Sequence, residues 1–146
     1  MNITKDFFTD LKLQTKVRTF YNTYGAAGLE KAMQHYTDMQ QEYICRTKTS
    51  FSKITIGEIY YLEIREHNIS VHTHDHTYHK YGSLNKESKL LAPYGFVKCN
   101  QSCIVSLDKI RTIVQDNLIL INGVKIHISR TYAAKTLMAF SRAGKD

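Results

Sequence analysis

The sequence predicts a mainly β domain with small helices, preceded by an N-terminal helical segment. Three observations carry this. Apolar residues over 1–40 recur at helical spacing, short β-rich runs crowd the chain from about Tyr43 onward, and turn-forming residues punctuate those runs. The domains expected are therefore a helical extension over 1–40 and a β domain over 41–146.

In the first segment, Phe7, Leu11, Val17, Phe20 and Tyr21 fall on one helical period, and Leu29, Ala32, Met33 and Tyr36 on another. Gly25 lies between them and marks a break, so two helices are expected. The strands expected are 43–47, 53–56, 59–64, 68–73, 77–81, 96–99, 103–105, 111–114, 118–121 and 124–128. Asp75-His76 supplies a hairpin turn. Asn122-Gly123 supplies a stronger one, because both residues tolerate positive φ. One helix interrupts the strands from about Ser83 to Leu91, with Ser83 as N-cap and Pro93 just beyond its end. A last helix runs from about Thr131 to Arg142, with Ser129 as its cap. No internal repeat or low-complexity tract occurs.

The 146 residues carry 20 Lys plus Arg against 13 Asp plus Glu, a formal charge of +7. Residues 1–40 contribute +1 and residues 41–146 contribute +6, so the excess lies in the β domain. A basic domain points to a polyanion, either nucleic acid or an anionic membrane surface. No apolar run approaches the roughly 20 residues of a membrane span, and the N-terminus lacks the pattern of a signal peptide. A cytoplasmic location without membrane partner is expected. Three cysteines, Cys45, Cys99 and Cys103, are too few and odd in number for a secreted disulfide framework, so reduced, packing thiols are expected.

The run from Gly95 to Ile110, with Val97-Lys98-Cys99-Asn100-Gln101-Ser102-Cys103-Ile104-Val105-Ser106 at its centre, resembles the signature of the LytTR-type DNA-binding domain. That signature is an aromatic strand with a basic residue, a His-(Arg/Lys/Asn)-Ser loop, then a Leu/Ile-Val-Asn strand. Glu58-Ile59-Tyr60-Tyr61-Leu62-Glu63 is similar to the family's Asp-Ile-x-Tyr-(Ile/Leu)-Glu strand. Tyr81-Gly82-Ser83-Leu84-Asn85-Lys86-Glu87 resembles the start of its central helix, and Ile128-Ser129-Arg130 its late Val-Ser-Arg step. The four blocks keep their order over about residues 41–141. Asn100 stands where His is usual, Gln101 where a basic residue or Asn is common, and Ser106 where Asn is usual. These departures leave the fold reading intact.

The resemblance implies an elongated stack of antiparallel sheets that reads successive major grooves of duplex DNA through loops. Three loop positions are implied as contacts: His67 with its neighbour Asn68, the Asn100-Gln101 pair, and Arg130. Their chemistry is suitable, since Arg pairs bidentately with guanine O6 and N7, and Gln or Asn with adenine N6 and N7. Lys98 and Ser102 flank the middle loop and suit phosphate contacts that fix register. Family members often carry a phosphoreceiver, but 40 residues barely hold one βα unit, so none is expected.

Each of these features also has a plainer reading. Arg130 could be an exposed residue of a helical first turn, though a cation there opposes the helix dipole. Asn100-Gln101-Ser102 could be an ordinary polar turn, and His67 a hairpin tip polar for solubility alone. The stretch His72–His79 puts His72 and His74 about 6.6 Å apart on one strand face, a spacing two zinc ligands could use. The turn at Asp75 breaks that face, and a solvated hairpin is expected. Tyr60, Tyr61, Tyr78 and Tyr81 read as packed strand faces, and Lys80, Lys86 and Lys89 as a solvated helix face. No nucleophile–base arrangement, phosphate loop or paired-carboxylate motif occurs at recognisable spacing.

The function expected is therefore a sequence-specific, double-stranded DNA-binding transcriptional regulator, bacterial by resemblance, without enzymatic activity or cofactor. It would bind promoter direct repeats as a homodimer or as co-bound protomers, and the helical prefix would pack on the domain, dimerise or receive a protein partner. The alternative is a basic protein–protein adaptor that binds no particular DNA sequence.

Overall fold

A computed structural model describes residues 7–143. Its contacts divide the chain into residues up to Asp38 and residues from Met39. The first part is dominated by α1 (Leu11–Met39), in which no residue is buried. Asp10 caps it, its carboxylate accepting the Leu13 N–H at 3.0 Å. Gly25 leaves helical geometry at φ 75°, ψ −178°, so α1 consists of two helical stretches that meet at the expected break. Only glycine adopts that conformation cheaply.

The second part stacks three antiparallel sheets. The hairpin β1 (Glu42–Arg46) and β2 (Phe51–Thr55) forms the first layer. The middle sheet contains β3 (Tyr61–Arg65), β4 (Asn68–His72), β5 (Thr77–Tyr81), β6 (Phe96–Asn100) and β7 (Cys103–Ser106), in the order β5-β4-β3-β7-β6. The third sheet is β8 (Ile110–Val114), β9 (Asn117–Leu120) and β10 (Lys125–His127). Helix α2 (Leu84–Leu91) follows β5, and α3 (Arg130–Ala143) follows β10.

Strand alternation sends side chains of the middle sheet into two cores. Leu62, Ile69, Val71, Phe96 and Ile104 join Tyr43, Cys45 and Ile54 of the first hairpin and Leu84 and Leu91 of α2. Val97, Cys99, Cys103 and Val105 face the other way, onto Leu118, Leu120, Ile126 and Ile128. Strand β7 is consequently buried at every residue. This double burial explains why 103–105 reads as a continuous apolar run rather than an alternating one.

Ser83 caps α2 as the sequence predicts, its hydroxyl accepting the Lys86 N–H. Asn122-Gly123 turns β9 into β10, with Gly123 at φ 91°. Pro93 enters a short 3₁₀ turn that extends α2. Three expectations are corrected. Ser129 does not cap α3: its Oγ is buried without a hydrogen-bond partner, while its carbonyl accepts the Tyr132 N–H. Lys80 is a β5 residue rather than part of a solvated helix face. Its Nζ lies 2.8 Å from Glu87 Oε1, both side chains are largely buried, and it stands over the Tyr43 ring. Tyr81 is not packed but 58% exposed.

Candidate nucleic-acid interface

Antiparallel pairing brings the loops named from the sequence to one end of the middle sheet. The β3–β4 turn is Glu66-His67, with Arg65 opposite Asn68 and Glu66 at φ 60°. The β6–β7 turn is Gln101-Ser102, closing where Asn100 faces Cys103. Since β3 runs antiparallel to both β4 and β7, the two turns lie at the same end, roughly 10 Å apart at two strand spacings. The Ile64 N–H donates to the Ser102 carbonyl at 2.9 Å and joins them directly. On the other side, the Gly82 N–H donates to the His67 carbonyl at 3.1 Å and ties in the start of α2.

Asn100 connects the middle turn to the last loop. Its Nδ2 donates to the His127 carbonyl at 2.8 Å, and its Oδ1 accepts the Ser102 N–H at 2.8 Å. The Ser129 N–H in turn donates to the Cys99 carbonyl at 3.1 Å. One carboxamide thus shapes its own turn and fixes the strand end that leads into Arg130. A register shift between Lys98 and Asn100 locates this irregularity in β6. A bulge of this kind re-aims side chains at the edge of a site.

The named residues other than Asn100 divide among three grooves along this rim. His67, Lys98 and Gln101 line one of about 570 Å³, together with Ser83 and Asn85 of the α2 start. Asn68 and Ser102 line a second, beside Arg65 and Ser70. Arg130 lines a third with His127, Asp116 and Leu137. His67, Asn68, Gln101, Ser102 and Arg130 are exposed, whereas Lys98 and Asn100 are half-buried. The side chains of His67, Gln101 and Arg130 make no hydrogen bond or ion pair among the described residues, so their polar ends are available to a ligand. Lys98 is committed in part. Its Nζ donates to Asn85 Oδ1 at 2.8 Å and sits 5.5 Å from the centre of the Tyr132 ring. Sequence reasoning gave Asn85 and Tyr132 no role, because partners supplied by α2 and α3 leave no local pattern.

Beneath the middle turn, the thiols of Cys99 and Cys103 are buried and unoxidised. A side-chain hydrogen bond with Cys99, in which the Cys103 thiol keeps its proton, together with burial pushes Cys103 well above the ordinary thiol range. No group of three or more His, Cys, Asp or Glu side chains among the described residues is placed to hold an ion. His72 stacks on Tyr61 at 4.2 Å and contacts Glu63 Oε1 at 2.8 Å through Nε2. No helix among the described residues is long and apolar enough to cross a membrane.

Comparison with known proteins agrees with this layout. The structure is similar to the LytTr DNA-binding domain of a protein described as a methyl-accepting/DNA response regulator from Bacillus cereus. The TM-score is 0.61 at 23% identity, over 67% of this chain and 94% of that one, a likeness of fold. No curated protein matches the sequence. A family model for the LytTr DNA-binding domain matches residues 49–141, well over half of the chain. The antiparallel stack, the loop-bearing rim and this match lead to one conclusion: the chain belongs to the LytTR DNA-binding domain family.

Proposed function

We propose that this chain is a sequence-specific, double-stranded DNA-binding transcriptional regulator that inserts the loops of its rim into major grooves. The observation that carries the reading is the continuous hydrogen-bonded rim. Through Ile64, Asn100 and Ser129, two turns and the start of α3, all with free polar side chains, are held in fixed relation to one another. Fixed spacing is what base readout needs, because a loop that wanders loses its register against the base edges.

In this reading His67, Gln101 and Arg130 contact base edges. Arg130 suits guanine and Gln101 suits adenine. Asn100 positions the two loops it joins. Ser102, Asn68 and the remaining donors of Lys98 contact phosphates and set orientation. The protein acts in the cytoplasm, without enzymatic activity, and two protomers occupy direct repeats on one DNA face. The exposed apolar residues of α1, among them Leu11, Tyr24 and Tyr36, receive a protein partner.

Selection from random duplexes by the full-length protein tests the reading. A repeated motif should emerge, with half-sites separated by whole turns of about 10–10.5 base pairs. Inserting about five base pairs between the half-sites should abolish cooperative binding. Enrichment of no motif, together with equal affinity for all duplexes, would refute sequence-specific regulation.

A further inference from the structure

The rim does not end at the His67 turn. Tyr81, the last residue of β5, pairs with Asn68 beside that turn. It also lines an open groove of about 600 Å³ with Ile44, Arg46, Thr47, Lys48 and Lys80. Arg46 ends β1 and Lys48 lies in the loop joining β1 to β2, both exposed. Lys80 is already neutralised by Glu87. Neither Arg46 nor Lys48 has a hydrogen bond or ion pair among the described residues, and no carboxylate lines the groove. Glu42, the acid on this hairpin, pairs with Lys53 at its opposite end.

The hairpin tip is held in shape. The Thr47 N–H donates to the Ser50 carbonyl at 3.0 Å, the two hydroxyls lie 2.7 Å apart, and the Thr49 N–H reaches Thr47 Oγ1. The Arg46 guanidinium rests over the exposed Phe51 ring at 5.1 Å, which supports one face of the guanidinium and leaves its N–H edge open. Two unpaired cations on a fixed tip, beside a tyrosine and continuous with the rim, suit a linear polyanion. Arg46 and Lys48 precede the stretch matched to the family, which begins at residue 49.

From these placements we infer that Arg46 and Lys48 form a phosphate clamp, gripping the DNA backbone beyond the bases contacted by His67. The inference rests on the DNA-binding reading of the rim. The middle sheet spans about 19 Å from β5 to β6 at four strand spacings, which covers five to six base pairs at about 3.4 Å each. The clamp lies beside the end of β5, at the edge of the sheet, so it meets backbone flanking that read stretch. It adds affinity on every sequence and preference for none.

The full-length protein and its Arg46→Ala/Lys48→Ala variant are compared by fluorescence anisotropy. Two duplexes are used, one selected and one scrambled, between 50 and 200 mM salt. Each lost phosphate contact flattens the log–log salt slope by about 0.9. The variant slope should therefore be shallower by about 1.8 on both duplexes. Across that range its affinity would change roughly twelve-fold less than that of wild type. The charge-preserving Arg46→Lys/Lys48→Arg variant should keep the wild-type slope, and circular dichroism should show every variant folded. Trimming the flank next to the base at which His67→Ala relaxes preference should bring wild type to the variant's slope. If the alanine variant keeps the wild-type slope while wild type still prefers the selected duplex, the clamp is wrong and the rim reading stands. If wild type has no preference but the slope drops in the variant, the clamp stands and base readout fails. A loss confined to the selected duplex makes the pair base readers and overturns the clamp.

Discussion

Asn100→Ala should loosen two reading loops at once. The substitution removes two hydrogen bonds of 2.8 Å, one to the His127 carbonyl and one from the Ser102 N–H. Each contributes about 0.5–1.5 kcal/mol net. The half-buried position favours the low end, so the loss is about 1–2 kcal/mol. For a domain of roughly 100 residues this lowers Tm by about 4–16 °C. The larger effect is on recognition. Gln101→Ala alone should relax preference at one base position, whereas Asn100→Ala should relax the positions of both Gln101 and Arg130. In the Asn100→Ala background, Gln101→Ala should cost less than it does alone, because the turn no longer presents the side chain. Thermal melts and binding isotherms on single-base variants of the preferred site measure all of this. If Asn100→Ala melts like wild type and changes preference at one position only, Asn100 is a base reader itself and the positioning argument fails.

Two further predictions concern the core beside the rim. Lys80→Met leaves the Glu87 carboxylate, which the Tyr43 hydroxyl also contacts, buried without its cation. It should cost about 3–5 kcal/mol. Lys80→Met/Glu87→Leu should recover more than half of that in urea denaturation, and strictly additive losses would show that the pair is uncoupled. Burial, with a smaller push from Glu87 and a partial offset from Lys80, raises the Cys45 thiol to about 11 from an ordinary 9.0. The folded thiol keeps its proton where the unfolded one releases it. Its contribution is therefore full below about pH 9 and lost toward pH 11, on the order of 2–3 kcal/mol. Cys45→Ala should flatten stability over that window, and an unchanged pH profile would refute the assignment.

The elements were legible because their signals are local. Ser83 caps α2 through its own hydroxyl, and Asn122-Gly123 turns a hairpin through its own backbone freedom. The three loops were legible through the family signature, which keeps their order along the chain. Pairing was not legible. Strand β3 meets β7 some forty residues away, and no local pattern specifies that partner. The burial of Lys80 is not legible for the same reason: its carboxylate partner lies on α2, and the Tyr43 ring beneath it comes from β1. Ser129 shows the limit of a capping rule, since its hydroxyl is buried without a partner and its carbonyl makes the turn. Asn100 could be named as a loop residue from sequence, but its two internal bonds depend on where β10 ends.

Base-analogue interference tests major-groove readout most directly. Each purine of the selected site is replaced in turn by its 7-deaza analogue, which deletes the N7 acceptor in the major groove and leaves Watson–Crick pairing intact. One guanine should lose about 1–3 kcal/mol with wild type and nothing further with Arg130→Ala. One adenine should behave in the same way toward Gln101→Ala. Lys98→Ala should weaken every duplex equally and leave both interference positions in place. Uniform affinity across all the 7-deaza duplexes, or interference that persists unchanged in both alanine variants, would contradict readout by this rim.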